Sequence, residues 1–158
     1  MNTITTARRF RNRALIGLAG LGVGTGLVLG GAGLATAGTV PITHPGEPTV
    51  AMTITNHTNR TEFLQGATPG AGQWVQSPRA QLAPGATETF VSNAPHSPSE
   101  SVMVTYRIGA FGPRAVYNIE NARGAVNLNA TGTTSGNYWI NAHIDTGYPI
   151  VNVGYDLW

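Results

Sequence analysis

Apolar and polar residues alternate with a period of two along the larger, C-terminal part of the chain. In the first such run, Val50, Met52 and Ile54 occupy every second position, with Ala and Thr between them. This pattern is typical of a β-strand that buries one face. The clearest run covers residues 101–108, and the last covers residues 151–157. Further runs of the same kind lie at residues 61–65, 73–76, 80–82, 87–91, 115–120, 126–128 and 138–142.

Short segments rich in Gly, Pro, Asn and Ser separate these runs, as expected for turns between strands. No segment after residue 38 repeats its apolar residues with the helical period. About eight to nine short strands predict an all-β domain over residues 49–158, built as two packed antiparallel sheets, a β-sandwich. A β-barrel is the alternative. We expect the last strand to pair inside a sheet, and the core to contain Tyr106, Tyr117 and Tyr155, which share a face with apolar neighbours.

The first 37 residues have a different pattern. Four arginines at positions 8, 9, 11 and 13 precede a long uncharged stretch of Ala, Leu, Val, Ile and Gly. Ala35 and Ala37 then place small residues at the two positions that a signal peptidase recognises. We therefore predict a signal peptide over residues 1–37, an extended leader over residues 38–48, and a secreted, extracellular protein.

Two features of this N-terminal segment keep other routes open. Its uncharged stretch is long enough to cross a bilayer as an uncleaved anchor. The pair Arg8-Arg9 is compatible with twin-arginine export as well as with the Sec route. We favour cleavage, because the many glycines make the stretch weakly apolar.

The signal peptide also changes the charge of the mature protein. The whole chain has 9 basic and 7 acidic residues, a net charge of +2, but four of the arginines lie in the signal. The remainder has five arginines against seven acids, so 5 − 7 = −2. We therefore expect no nucleic-acid partner, which would need a basic surface, and no polybasic attraction to anionic lipid, which would need clustered Lys or Arg. With no cysteine in the chain, the fold must depend on core packing, and no thiolate can act as a nucleophile or bind zinc.

Candidate catalytic residues are few. His143 and Asp145 are two residues apart, so they would share one face of a strand, but no G-x-S-x-G motif supplies a nucleophile. We predict that the protein is not an enzyme and that it uses neither a cofactor nor a metal. Arg107 faces the Met/Thr side of its strand, where it would either bind a carboxylate or phosphate group or, the reading we favour, form a surface salt bridge.

The aromatic residues give the better candidates for a site. Trp74, Phe111, Tyr138, Trp139 and Tyr148 lie beside loops, in turns or at strand ends. Aromatic side chains at such places suit contact with membranes, sugars or other proteins, because one part is apolar and another tolerates water. These five residues are our candidates for a surface that binds lipid. The alternative is that each one covers an open end of the core.

Several short motifs, in order, carry a resemblance to a known family. They are Met52–Thr58, Gly72–Pro78 around Trp74, Leu82–Gly85 with Phe90, Val104–Tyr106, Asn121–Gly124 with Asn127, and the closing strand Val151–Leu157. Together they resemble a family of small secreted or crystal-forming β-sandwich proteins of Gram-positive bacteria and, more distantly, the aegerolysins. Ala122 departs from this pattern, which often has Pro there.

The resemblance implies an aegerolysin-like sandwich that binds lipids or membranes, in some relatives as a toxin component with a partner protein. Our expectation is a non-enzymatic, secreted protein that binds a membrane lipid or a cell-envelope surface. A self-assembling envelope or spore-associated protein and a carbohydrate-binding module are the alternatives.

Overall fold

The computed structural model describes residues 46–158, which form eleven β-strands. The predicted signal peptide, its cleavage site at Ala35 and Ala37, and most of the predicted leader lie outside the described residues. The strands are β1 (Thr49–Asn56), β2 (Glu62–Thr68), β3 (Gln73–Gln76), β4 (Gln81–Leu82), β5 (Thr87–Asn93), β6 (Ser99–Ile108), β7 (Arg114–Ala122), β8 (Leu128–Asn129), β9 (Gly132–Thr133), β10 (Ile140–Asp145) and β11 (Ile150–Leu157).

The strands form two sheets that pack face to face. Sheet 1 has the order β10-β11-β1-β5-β3, and sheet 2 has the order β4-β2-β6-β7-β8, with β9 also paired to β7. The predicted all-β sandwich is therefore confirmed, and β11 pairs inside sheet 1 as expected. One pair departs from the antiparallel prediction, because β1 and β11 run parallel, with Thr49 opposite Ile150 and Asn56 opposite Leu157. Residue alternation is the same in parallel and antiparallel strands, so it could not predict this pair.

The strands differ from the sequence prediction in their number and in several of their bounds. The eleven strands include β4, β8 and β9, ladders of only two residues, of which β9 matches no predicted run. Strand β2 continues to Thr68 past a bulge between Leu64 and Gly66, where the alternation of side chains is interrupted. Strand β6 begins earlier than predicted, at Ser99, and β10 begins later, at Ile140. Tyr138 and Trp139 therefore precede β10.

The core lies between the sheets and is rich in aromatic residues. Tyr106 and Tyr117 of sheet 2 and Tyr155 of sheet 1 are fully buried, as predicted. The Tyr117 ring centroid lies 6.3 Å from that of Tyr106, at 72°, and 5.5 Å from that of Tyr155. Edge-on and tilted contacts of this kind are favourable for aromatic rings. Aliphatic side chains from both sheets surround them.

Polar side chains in the core join the two sheets. Glu88 of β5 accepts a hydrogen bond from the Tyr106 hydroxyl of β6, and Ser92 of β5 bonds to Glu100 of β6. The side-chain amide of Asn121 in β7 donates to the carbonyl of Pro149, at 2.7 Å, beside β11. Each bond satisfies a polar group that would be costly to bury alone.

Residues 46–158 contain no helix long and apolar enough to cross a membrane.

Candidate functional site

One end of the sandwich gathers most of the exposed aromatic residues, and we call it the aromatic end. It is formed by the turn after β1 (residues 57–61), the β6–β7 loop (residues 109–113), the segment before β10 (residues 134–139) and the C-terminal residue Trp158. The amide of Gly109 donates to the carbonyl of Thr61 at 2.8 Å, which joins the first two of these segments. Trp139 and Trp158 exchange two backbone hydrogen bonds of 3.1 and 3.0 Å, which join the other two.

The β6–β7 loop presents Phe111 to solvent on a tightly held backbone. The Phe111 side chain is 99% exposed. Gly109 has a φ of 71°, which favours glycine, and a side chain at Gly112 would collide with the carbonyl oxygen of Ile108. The amide of Ile108 donates to the carbonyl of Pro113 at 2.8 Å and closes the loop. A large apolar side chain is thus exposed to solvent on a loop that a backbone hydrogen bond closes.

Next to Phe111 is an open cavity of about 330 Å³, lined by Arg60, Tyr138 and the β6–β7 loop. The turn that carries Arg60 is fixed by Asn56, whose buried side-chain amide donates to the Arg60 carbonyl at 2.8 Å. Asn56 also accepts from the amide of Thr58 at 3.0 Å. Tyr138 is half-buried and packs against the core. The cavity therefore combines a cationic group with two aromatic side chains.

A stack of aromatic rings forms the other part of this end. The Trp158 indole is stacked with the imidazole of His57, at a centroid distance of 3.8 Å, and is nearly parallel to the indole of Trp139, at 6.5 Å. Trp139 is 62% exposed. His57 Nε2 lies 2.7 Å from Asp156 Oδ1, which orients the imidazole under Trp158. The backbone bonds to Trp158 and this ring contact place Trp139 at the aromatic end, where it stays largely in solvent.

Three of the five aromatic candidates thus lie at the aromatic end: Phe111, Tyr138 and Trp139. Trp74 does not, because it lies on β3, half-buried, with its ring edge-on to Phe90 at 5.8 Å. Tyr148 lies at the opposite end, half-buried, with the Arg123 guanidinium 5.5 Å from its ring centroid. Sequence reasoning missed Arg60 and Trp158, because their place beside the candidates depends on how the loops meet.

His143 and Asp145 lie on the same face of β10, as expected from their spacing. His143 Nε2 lies 3.1 Å from the Asn141 amide and 3.5 Å from Asp156 Oδ2, whereas Asp145 is exposed. In the described part of the chain, no group of three His, Asp or Glu residues is arranged to hold a metal ion.

The burial of two carboxyl groups was not predicted from the sequence. Glu62 and Glu100 are both fully buried. Burial raises the pKa of Glu62 to about 7, although the Tyr117 hydroxyl, 2.8 Å from its Oε2, opposes the rise. Burial likewise raises the pKa of Glu100 to about 7, opposed by its bond to Ser92. Both groups lie inside the sandwich, so they bear on stability rather than on the exposed site.

Comparison with known proteins supports the fold. The chain matches no model of a known protein family and no curated protein sequence. Among solved structures, the lipid binding protein Nakanori superposes with a TM-score of 0.62 at 8% sequence identity, over 70% of this chain and 70% of that one. At this identity the likeness concerns the fold alone: the lipid-binding protein has the same kind of β-sandwich.

Proposed function

We propose that the protein is a secreted, non-enzymatic β-sandwich that binds lipid at a membrane or cell-envelope surface through its aromatic end. The observation that carries the proposal is Phe111, almost fully exposed on a loop closed by a backbone hydrogen bond, beside the cavity that Arg60 and Tyr138 line. Aromatic and apolar side chains at such a position enter the boundary between headgroups and acyl chains. The fold shared with a lipid-binding protein supports the same conclusion.

The test is co-sedimentation of residues 38–158 with vesicles, comparing wild type with Phe111→Ala and Trp139→Ala. Burying one Phe side chain contributes about 1.5–3 kcal/mol, so we expect Phe111→Ala to weaken binding by roughly tenfold or more. Val126→Ala is the matched control, because Val126 is an apolar residue, 80% exposed, in the β7–β8 loop at the opposite end.

Other results would favour a different function. If both aromatic variants fold and bind every vesicle as wild type does, the aromatic end is not the lipid-binding surface. Binding to glycans without binding to vesicles would favour a carbohydrate-binding module, and concentration-dependent assembly in size-exclusion chromatography would favour a structural envelope protein.

The toxin-like role with a partner protein rests on the family resemblance. It predicts that the protein alone binds vesicles without releasing an enclosed dye, and that a second protein is needed for leakage. Leakage caused by this chain alone would contradict a partner-dependent role.

A further inference from the structure

The hairpin that carries Phe111 also brings two arginines together. Arg107 of β6 lies directly opposite Arg114 of β7, next to the loop. Their neighbours Tyr106, Ile108 and Ala115 face the core. Since side chains alternate between faces, both arginines lie on the outer face of sheet 2. Side chains directly opposite each other on one face are close neighbours, and like charges there are unfavourable.

The two arginines have no acidic partner in the part of the chain that the structure describes. No Asp or Glu oxygen of residues 46–158 lies within 4.0 Å of either guanidinium. The Nε atom of Arg107 is buried and makes no hydrogen bond. The surface salt bridge favoured for Arg107 from the sequence is therefore not formed among these residues. Two adjacent cations without an acidic partner are stabilised by an anion.

Charge is distributed unevenly over the whole domain. Arg60 also lies against the β6–β7 loop, because its Cδ is about 3.8 Å from the position that a Cβ atom at Gly109 would occupy. Three of the five described arginines therefore lie near this loop. The acids near the aromatic end, Glu62, Glu88 and Asp156, are buried. The acids that reach solvent lie toward the opposite end, and they are Glu47, Glu120 and Asp145.

We propose that the aromatic end selects lipids whose headgroups carry a net negative charge. In this arrangement Arg107 and Arg114 donate hydrogen bonds to headgroup phosphate oxygens while Phe111 enters the interface beside them. A planar guanidinium can bind two phosphate oxygens at once, which suits this task. The proposal rests on the proposed function and adds the class of lipid to it.

The experiment measures binding of residues 38–158 to two kinds of vesicle, phosphatidylcholine alone and phosphatidylcholine mixed with phosphatidylglycerol. We expect tighter binding to the mixed vesicles, with the difference shrinking as salt is raised. Each arginine near an anionic surface contributes roughly fivefold in affinity. The double variant Arg107→Gln/Arg114→Gln should therefore lose roughly thirty-fold on mixed vesicles. Arg123→Gln, at the opposite end, is the matched control and should keep the wild-type preference.

The outcomes separate the two proposals. If wild type binds neither kind of vesicle, the proposed function fails. If wild type binds both equally, or if the folded double variant keeps the preference for mixed vesicles, only the selection of anionic lipid is overturned. Soluble glycerol phosphate at the same phosphate concentration should not compete. Competition by it would show that the arginines bind free phosphate, and would overturn the assignment to a lipid.

Discussion

Glu62 is a carboxyl group that the fold places where an apolar residue would be expected. It shares the start of β2 with Phe63, and alternation puts one of the two in the core. The pairing of β2 with β6 places Glu62 opposite the buried Ile108, so Glu62 is fully buried and Phe63 only partly. The Tyr117 hydroxyl, 2.8 Å away, makes this arrangement tolerable by donating to Oε2. Hydrophobicity alone would have selected Phe63 for the core, so this residue could not be predicted from the sequence.

The raised pKa of Glu62 predicts that the protein is more stable in mild acid than in mild base. Its pKa is about 7 in the folded protein against 4.5 in the unfolded chain. The stabilisation that protonated Glu62 contributes is fully present below the pKa of the unfolded state and is lost as the pH rises through 7. Between these values the unfolded chain has released the Glu62 proton while the folded protein still holds it, which favours the unfolded state. The full difference is about 3 kcal/mol. Glu100, whose pKa is also about 7, acts in the same direction.

Urea unfolding of wild type and Glu62→Gln at about pH 5 and about pH 8 measures this effect. We expect the free energy of unfolding of wild type to fall at the higher pH, and to fall by less in the variant, whose amide stays neutral. An equal fall in both proteins would show that Glu62 does not titrate in this range.

At the scale of elements, the β6–β7 hairpin is the unit that connects the fold to the site. The alternation of residues 101–108 and 115–120, with Gly and Pro between them, predicted both strands and the turn. The opposition of Arg107 and Arg114 was not predictable, because it depends on the register that this turn sets. In sheet 1, likewise, the alternation of residues could not predict that β11 runs parallel to β1.

The close approach inside the β6–β7 loop predicts that Gly112→Ala damages the site through its backbone. A methyl group at this position would collide with the Ile108 carbonyl oxygen. We expect the free energy of unfolding to fall by about 1–3 kcal/mol, with weaker vesicle binding because Phe111 is no longer held in place. Gly136→Ala is the control, since Gly136 lies in the neighbouring segment with open space around it, and it should change stability by no more than about 0.5 kcal/mol. Equal effects of the two changes on stability and binding would contradict this view of the loop.

At the scale of the whole molecule, the two ends of the sandwich differ in both charge and aromatic content. The sequence indicated which aromatics lie near turns, and three of them do meet at one end. It could not indicate which end each turn belongs to, and so it grouped Trp74 and Tyr148 with residues that lie elsewhere. That assignment requires the strand order, in which neighbours in space are often distant in sequence.

The polarity of the molecule predicts that it meets a membrane in one orientation. Two double variants test this orientation. Trp74→Phe/Trp158→Phe keeps Trp139 as its tryptophan, and Trp139→Phe/Trp158→Phe keeps Trp74. On vesicles we expect the fluorescence of Trp139 to shift to shorter wavelength and to be quenched by brominated lipid. Trp74, edge-on to Phe90 on a strand of sheet 1, should show neither change. Equal quenching of both would indicate that the molecule lies on its side.

The parallel pairing of β1 with β11 has a consequence for how the chain is made. Strand β1 lies at the centre of sheet 1, and one of its two neighbours, β11, follows it by about a hundred residues along the chain. Sheet 1 therefore cannot be completed until β11 has emerged from the ribosome, and contacts between such distant segments form slowly.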